Sequence, residues 1–140
     1  MEKIFLCSHG SLAEGLLGAV EAIIGADDRV KAYCLDRYEA PSVIEAEIKK
    51  ELSCAENCAI LCDIKGGSVH NALMRFCAQP NVTLLTGMNL AMALELIGAP
   101  EDTPLAERCA EALTAGGEDQ ILFDRKTVAD MLAQDGDEDL

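Results

Sequence analysis

His9, in Ser8-His9-Gly10-Ser11, and Asp63, in Asp63-Ile64-Lys65-Gly66-Gly67-Ser68, are the residues whose types best suit chemistry. An imidazole is a nucleophile near neutral pH. A carboxylate hydrogen-bonded to one ring nitrogen fixes the tautomer and leaves the other nitrogen to attack. Gly66 and Gly67 let the backbone approach an anion closely, and a following helix turns unpaired N–H groups towards it. Ser68 can cap that helix or donate to a phosphate oxygen. This set suits a phosphoryl group moving onto a histidine and off again. Taken singly, each part has a plainer reading: a surface histidine, a tight loop, a helix cap. Position is what lifts them above it.

Strand-like and helix-like segments alternate along the 140 residues. Ile4–Cys7 reads as a buried strand. A helix follows with Leu12, Leu16, Ala19, Val20 and Ile23 on one face, Ser11 as N-cap with Glu14 at capping-box spacing, and Gly25 as stop. Val30–Leu35 is a second strand, and Pro41 opens a helix through Val43, Ile44, Ile48 and Leu52. Cys58–Cys62 is apolar throughout, as suits a parallel strand covered on both faces. A helix is expected from about Val69 to Ala78, a fourth strand over Asn81–Thr86, and a helix capped by Asn89. The helix beyond Pro104 should end at Gly116-Gly117, ahead of a short last strand, Gln120–Phe123, and a possible helical turn. The expected fold is α/β, a doubly wound, mostly parallel sheet with helices on both faces. Residues 1–133 are expected to form one domain and 134–140 an acidic, disordered tail. Ligands bind such sheets at the strand C-terminal ends, where loops begin at Ser8, Asp36, Asp63 and Thr86. His9 and Asp63 both fall on that edge, and adjacent strands would bring them within reach.

The formal charge of −14 argues against nucleic-acid binding, which needs Lys/Arg-rich surfaces. It suits a soluble protein with basic partners. No apolar run reaches the roughly 18–20 residues that span a bilayer, and the N-terminal stretch reads as a strand, so no direct membrane insertion is expected. Seven cysteines without a secretion signal point to reduced thiols in a cytoplasm. Cys54, Cys58 and Cys62 are evenly spaced, which suggests a metal. In a strand, however, the last two lie roughly 13 Å apart at about 3.3 Å per residue. They are expected to be small buried hydrophobes, with no metal site.

Three blocks resemble the mannose-family IIA component of the bacterial sugar phosphotransferase system. Phe5-Leu6-Cys7-Ser8-His9-Gly10-Ser11-Leu12-Ala13-Glu14-Gly15 is similar to a stretch that ends in Thr/Ser-His-Gly and continues into Leu-Ala-Glu-Gly. Asp63-Ile64-Lys65-Gly66-Gly67-Ser68-Val69-His70-Asn71-Ala72 resembles Asp-x-aromatic-Gly-Gly-Ser-Pro-x-Asn-Ala. Thr86-Gly87-Met88-Asn89-Leu90-Ala91-Met92 resembles Thr/Ala-Gly-x-Asn-Leu-Pro-Met. The resemblance covers residues 1–97, and the C-terminal third agrees only in general pattern.

The resemblance implies that His9 is phosphorylated, that Asp63 orients it, and that Ser68, with Gly66 and Gly67, contacts the phosphate. It implies a phosphoryl donor, the histidine phosphocarrier protein HPr, and an acceptor, a IIB component, with the sugar phosphorylated during transport through membrane components IIC and IID. It further implies a homodimer in which a C-terminal strand, here Gln120–Phe123, crosses to the partner's sheet. No metal or organic cofactor is implied. Two alternatives stay open: a regulatory module that takes phosphate as a signal without serving a permease, and the phosphocarrier subunit of dihydroxyacetone kinase. Co-encoded IIB, IIC and IID proteins would separate transport from regulation. The chain departs from the family at Lys65 and His70, where aromatic residues are usual, and at Val69 and Ala91, where proline is. Lys65 is expected to be a solvated loop lysine and His70 a surface residue at a helix start. These departures bear on partner recognition.

Overall fold

The computed structural model describes residues 1–35 and 40–135, so the expected loop at Asp36 and most of the acidic tail lie outside the described residues. Four strands, β1 (Glu2–Ser8), β2 (Val30–Cys34), β3 (Asn57–Cys62) and β4 (Val82–Leu85), form one parallel sheet in the order β2-β1-β3-β4. Between and after them run α1 (Leu12–Ile24), α2 (Pro41–Leu52), α3 (Ser68–Leu73), α4 (Leu90–Gly98), α5 (Leu105–Glu118) and α6 (Arg125–Asp135), with a 3₁₀ turn over Met74–Ala78. The expected α/β sheet, wound with helices on both faces, is the one observed. The chain leaves β1 for β2 on one side and returns past β1 to β3, so β1 and β3 flank the switch point where such sheets bind ligands.

Side chains of a strand alternate between faces, and two cores result from that period. On one face Ile4 and Leu6 of β1 and Ala59 and Leu61 of β3 pack with Val20, Leu96 and Cys109 of α1, α4 and α5. On the other, Phe5 and Cys7 pack with Ile60, Cys62, and Ile44, Ile48 and Leu73 of α2 and α3. Phe5 meets Tyr33 edge to face at 5.6 Å between ring centroids. Cys58 and Cys62 are fully buried, and burial pushes both thiols up to about 12. They behave as core hydrophobes. Cys54 and Cys77, by contrast, are exposed.

Several sequence expectations need correction. Ser11 makes no side-chain cap; the buried Ser8 hydroxyl accepts from Ala13 N–H at 2.7 Å and takes that role. On α1, Leu12 and Ile23 are exposed and Ala13 and Val20 are buried, so the apolar stripe is rotated by about one residue. Gly116-Gly117 does not end α5, which runs on to Glu118. Gly116 instead lets α5 approach α4: a Cβ there would stand 3.1 Å from both Asn89 Oδ1 and Met92 Cβ. Gln120–Phe123 forms no strand in this chain, and Ile121, Leu122 and Phe123 are 63%, 78% and 55% exposed. The reason is that a strand needs a free edge to pair with, and this segment lies against none within its own chain. The next residues form α6, which extends into the first two residues of the expected tail.

Candidate active site

β1 ends at Ser8 and β3 at Cys62, with Cys7 and Cys62 in register as neighbours. The residues just beyond these ends therefore meet. Asp63 N–H donates to Cys7 O at 3.2 Å, tying the two strand ends together. Asp63 Oδ2 then accepts twice from His9, from the backbone N–H at 2.8 Å and from Nδ1 at 2.9 Å. Its other oxygen, Oδ1, accepts from Ile64 N–H at 3.0 Å. An ionised carboxylate only accepts, so His9 Nδ1 carries the proton and Nε2 keeps its lone pair. The Asp63 side chain is 10% exposed while His9 is 42% exposed. The carboxylate is shielded and the imidazole is open.

The loop after Asp63 closes over the ring from the other side. Ser68 Oγ lies 2.9 Å from His9 Nε2. Given the tautomer, the hydroxyl is the donor. Ser68 is the first residue of α3 and makes no cap of its own; Gly67 holds the N-cap position. Gly67 cannot carry a side chain without cost, since a Cβ would lie 2.8 Å from Ile64 Cγ2 and 3.0 Å from His9 Cε1. Gly66 adopts φ +77°, a left-handed conformation that disfavours any other residue. The third loop is tied in by Met88 N–H, which donates to Cys62 O at 3.0 Å. Asn89 caps α4 through Oδ1, accepting from Met92 N–H at 2.8 Å, and its Nδ2 donates to Gly116 O at 2.9 Å.

All five sequence-predicted site residues, His9, Asp63, Gly66, Gly67 and Ser68, thus gather at the switch point. Two side chains that sequence reading left out of the site join them. His70 is buried rather than on the surface, and its Nδ1 accepts from Gly66 N–H at 2.9 Å. Asn71 Nδ2 donates to Gly66 O at 3.3 Å. The signal available for both was their position one turn beyond the glycines. Lys65 is exposed, as expected of a solvated lysine. Among the described residues no group of three or more His, Cys, Asp or Glu side chains is placed to hold a metal ion.

Residues 3–113 match the family described as the fructose IIA component of the phosphotransferase system (PTS). The chain belongs to this IIA family. Solved structures agree. A Klebsiella pneumoniae protein proposed to be a permease of the phosphoenolpyruvate-dependent sugar PTS is 31% identical, with 91% of this chain and 93% of that one covered and a TM-score of 0.75. The mannose/sorbose-specific IIA subunit from Enterococcus faecalis is 29% identical over 88% of this chain and 95% of its own, at a TM-score of 0.73. A PTS component EIIA from Streptococcus agalactiae, 20% identical over 88% of this chain and 98% of its own, shares the fold at a TM-score of 0.78. None of the curated proteins matches. This IIA chain is therefore a phosphocarrier of a sugar PTS. No described helix is long and apolar enough to cross a membrane.

Proposed function

We propose that His9 Nε2 accepts a phosphoryl group from an HPr-type phosphocarrier and passes it to a IIB component, the sugar being phosphorylated during transport through IIC and IID. The observation that carries this reading is the line Asp63–His9–Ser68, with 2.9 Å at each step. In the transfer, the Nε2 lone pair attacks phosphorus in line, the bond from phosphorus to the donor's nitrogen breaks, and the imidazole becomes cationic. Asp63 stabilises that charge while holding Nδ1–H. The Ser68 O–H, released from the lone pair as it bonds to phosphorus, turns to a phosphoryl oxygen. The N–H groups of Gly67 and Ser68, at the start of α3, are the backbone donors for the same oxygens. Gly66 contributes through its conformation, because its N–H is taken by His70. No metal or organic cofactor enters this chemistry.

The same reading places the protein in the cytoplasm as a homodimer. β4 is an edge strand, and an open edge invites an added strand. The exposed Ile121, Leu122 and Phe123 would supply it from the partner. Incubation with phosphoenolpyruvate, the PTS donor proteins and a IIB domain tests the reading. One acid-labile phosphoryl group per chain, passed on to IIB and lost in His9→Ala, is expected. A wild-type chain that stays unphosphorylated with a competent donor would overturn it. Sedimentation should give a dimer at micromolar concentration, and a monomer there would remove the role given to residues 120–123.

A further inference from the structure

The chain carries two histidines, and the proposed transfer uses only His9. His70 lies on α3 with its side chain buried, where a polar group must find a partner or destabilise the fold. Its partner is the backbone of the loop that closes on His9: Nδ1 accepts from Gly66 N–H at 2.9 Å. A ring nitrogen that accepts is unprotonated, so neutral His70 carries its proton on Nε2. His9 has the opposite tautomer, with its proton on Nδ1 facing Asp63. From the other side of the same residue, Asn71 Nδ2 donates to Gly66 O at 3.3 Å. Gly66 is thus held at both its N–H and its C=O, in a conformation at φ +77° that no adjoining strand or helix enforces.

The two residues after Gly66 are the ones that face the Nε2 side of the His9 ring. The backbone at Gly67 faces Cε1 so closely that a Cβ would stand 3.0 Å away, and Ser68 Oγ meets Nε2 at 2.9 Å. A small rotation at Gly66 would move both. We propose that His70 is a positioning residue: by holding the Gly66 N–H, its Nδ1 sets Gly67 and Ser68 against the His9 ring. His70 touches neither His9 nor the phosphoryl group, and its effect runs through the loop. The proposal rests on the carrier reading for its consequence in transfer, while its geometric content stands apart from any partner.

The two can be separated in one experiment on the full chain, using His70→Asn and His70→Leu. Asparagine puts Oδ1 on Cγ where imidazole has Nδ1 and keeps an acceptor for Gly66, whereas leucine fills the space without one. ¹⁵N-histidine spectra report the tautomers, and amide exchange reports the Gly66 N–H. Phosphorylation by the small-molecule donor phosphoramidate reports acceptance without a protein partner. Wild type should show His70 as the Nε2–H tautomer and His9 as the Nδ1–H tautomer, with the Gly66 amide protected. His70→Leu should lose that protection, shift the His9 Nε2 signal and slow phosphorylation by roughly 10-fold or more, in line with the cost of misplacing a reacting geometry. His70→Asn should stay within about 3-fold of wild type. A wild-type His70 protonated on Nδ1, or a folded His70→Leu protein with unchanged His9 signals, would overturn the proposal. Should wild type take up no phosphoryl group from phosphoramidate or from the PTS donor proteins, the carrier reading fails, and the His9 and Gly66 signals still decide the positioning claim.

Discussion

Asp63 does three things at His9 with one carboxylate: it fixes the backbone, fixes the ring, and leaves Nε2 with its lone pair. Its Oδ2 accepts from both the His9 N–H and Nδ1. Asp63→Asn keeps the shape but replaces an acceptor-only group by an amide that can turn its NH₂ towards Nδ1 and favour the wrong tautomer. A comparable change in a serine-protease triad costs about 10⁴ in rate, so phosphoryl acceptance should fall roughly 10- to 10⁴-fold with the fold retained. Stopped-flow transfer beside a circular dichroism melt checks this, and wild-type rates would make Asp63 a strand-end cap only. Gly67→Ala tests the opposite side of the ring. The new methyl would stand 2.8 Å from Ile64 Cγ2, a branch methyl that moves only if the exposed side chain changes its χ1 rotamer, and 3.0 Å from His9 Cε1. Yielding at His9 would pull Nε2 from Ser68, so transfer should drop by roughly 10²-fold. The melting temperature should hold, because no core contact is lost. Unchanged transfer would show that the ring has room to shift.

At the scale of elements, the four strands of the sheet were the most legible part of the sequence, because continuous apolar blocks such as Cys58–Cys62 have few other ways to be buried, whereas the exposed Gln120–Phe123 pairs with nothing in its own chain. Their loops, and so the meeting of His9 with Asp63, came with the parallel topology. The helix ends were less legible. Ser11 with Glu14 has capping-box spacing, yet the cap comes from Ser8, whose hydroxyl points inward from the end of β1. A local pattern cannot report a strand's last side chain reaching into the next helix. Gly116-Gly117 looked like a helix stop, because glycine usually ends helices, and here it serves close packing instead. His70 likewise looked like a surface residue because polarity is all that a sequence shows of it. Asn89 was readable as a cap, but its second bond, to Gly116 O, depends on tertiary placement. Losing both bonds in Asn89→Ala should destabilise the protein by about 2 kcal/mol, near 1 for the cap and 1 for the α4–α5 bond. Urea unfolding measures it. A loss under about 0.5 kcal/mol would mean that Asn89 is replaced by water at no cost.

Across the whole molecule, the candidate site and the main ion-pair cluster occupy opposite ends of the sheet. His9 follows the last residue of β1, while Glu2 starts it, and around Glu2 the charges are locked in pairs. Arg108, 2% exposed, grips Glu2 with Nη1–Oε2 at 2.9 Å and Nη2–Oε1 at 2.6 Å, and gives its Nε–H to Thr103 O at 2.8 Å. Arg29 joins Glu2 and Asp27, and donates to Ile97 O at 2.9 Å. The Arg108 hydrogen bond, against desolvation, holds the Glu2 carboxyl below its ordinary 4.5. A depressed carboxyl adds stability that is complete above the unfolded value and lost as pH falls through the folded one. The protein should therefore lose stability below about pH 4.5, and Glu2→Gln should flatten that part of the curve. At neutral pH Glu2→Gln takes from Arg108 its paired carboxylate and leaves it the weaker attraction of Glu101. The cost should sit at the low end of the roughly 3–5 kcal/mol for breaking a buried pair, since Glu101 still attracts Arg108 and Arg29 keeps Asp27. Chemical denaturation at several pH values reads both effects, and an equal acid slope in the two proteins would count against the Glu2 pair. Phosphoryl acceptance should be unaffected in the folded variant, because the cluster lies a sheet's length from His9. The central claim, that Asp63 reserves Nδ1 and leaves Nε2 to accept phosphate, is tested most directly by the site of attachment. Heteronuclear ³¹P–¹⁵N NMR of the phosphorylated chain should place phosphorus on His9 Nε2, and phosphorus on Nδ1 or on His70 would contradict it.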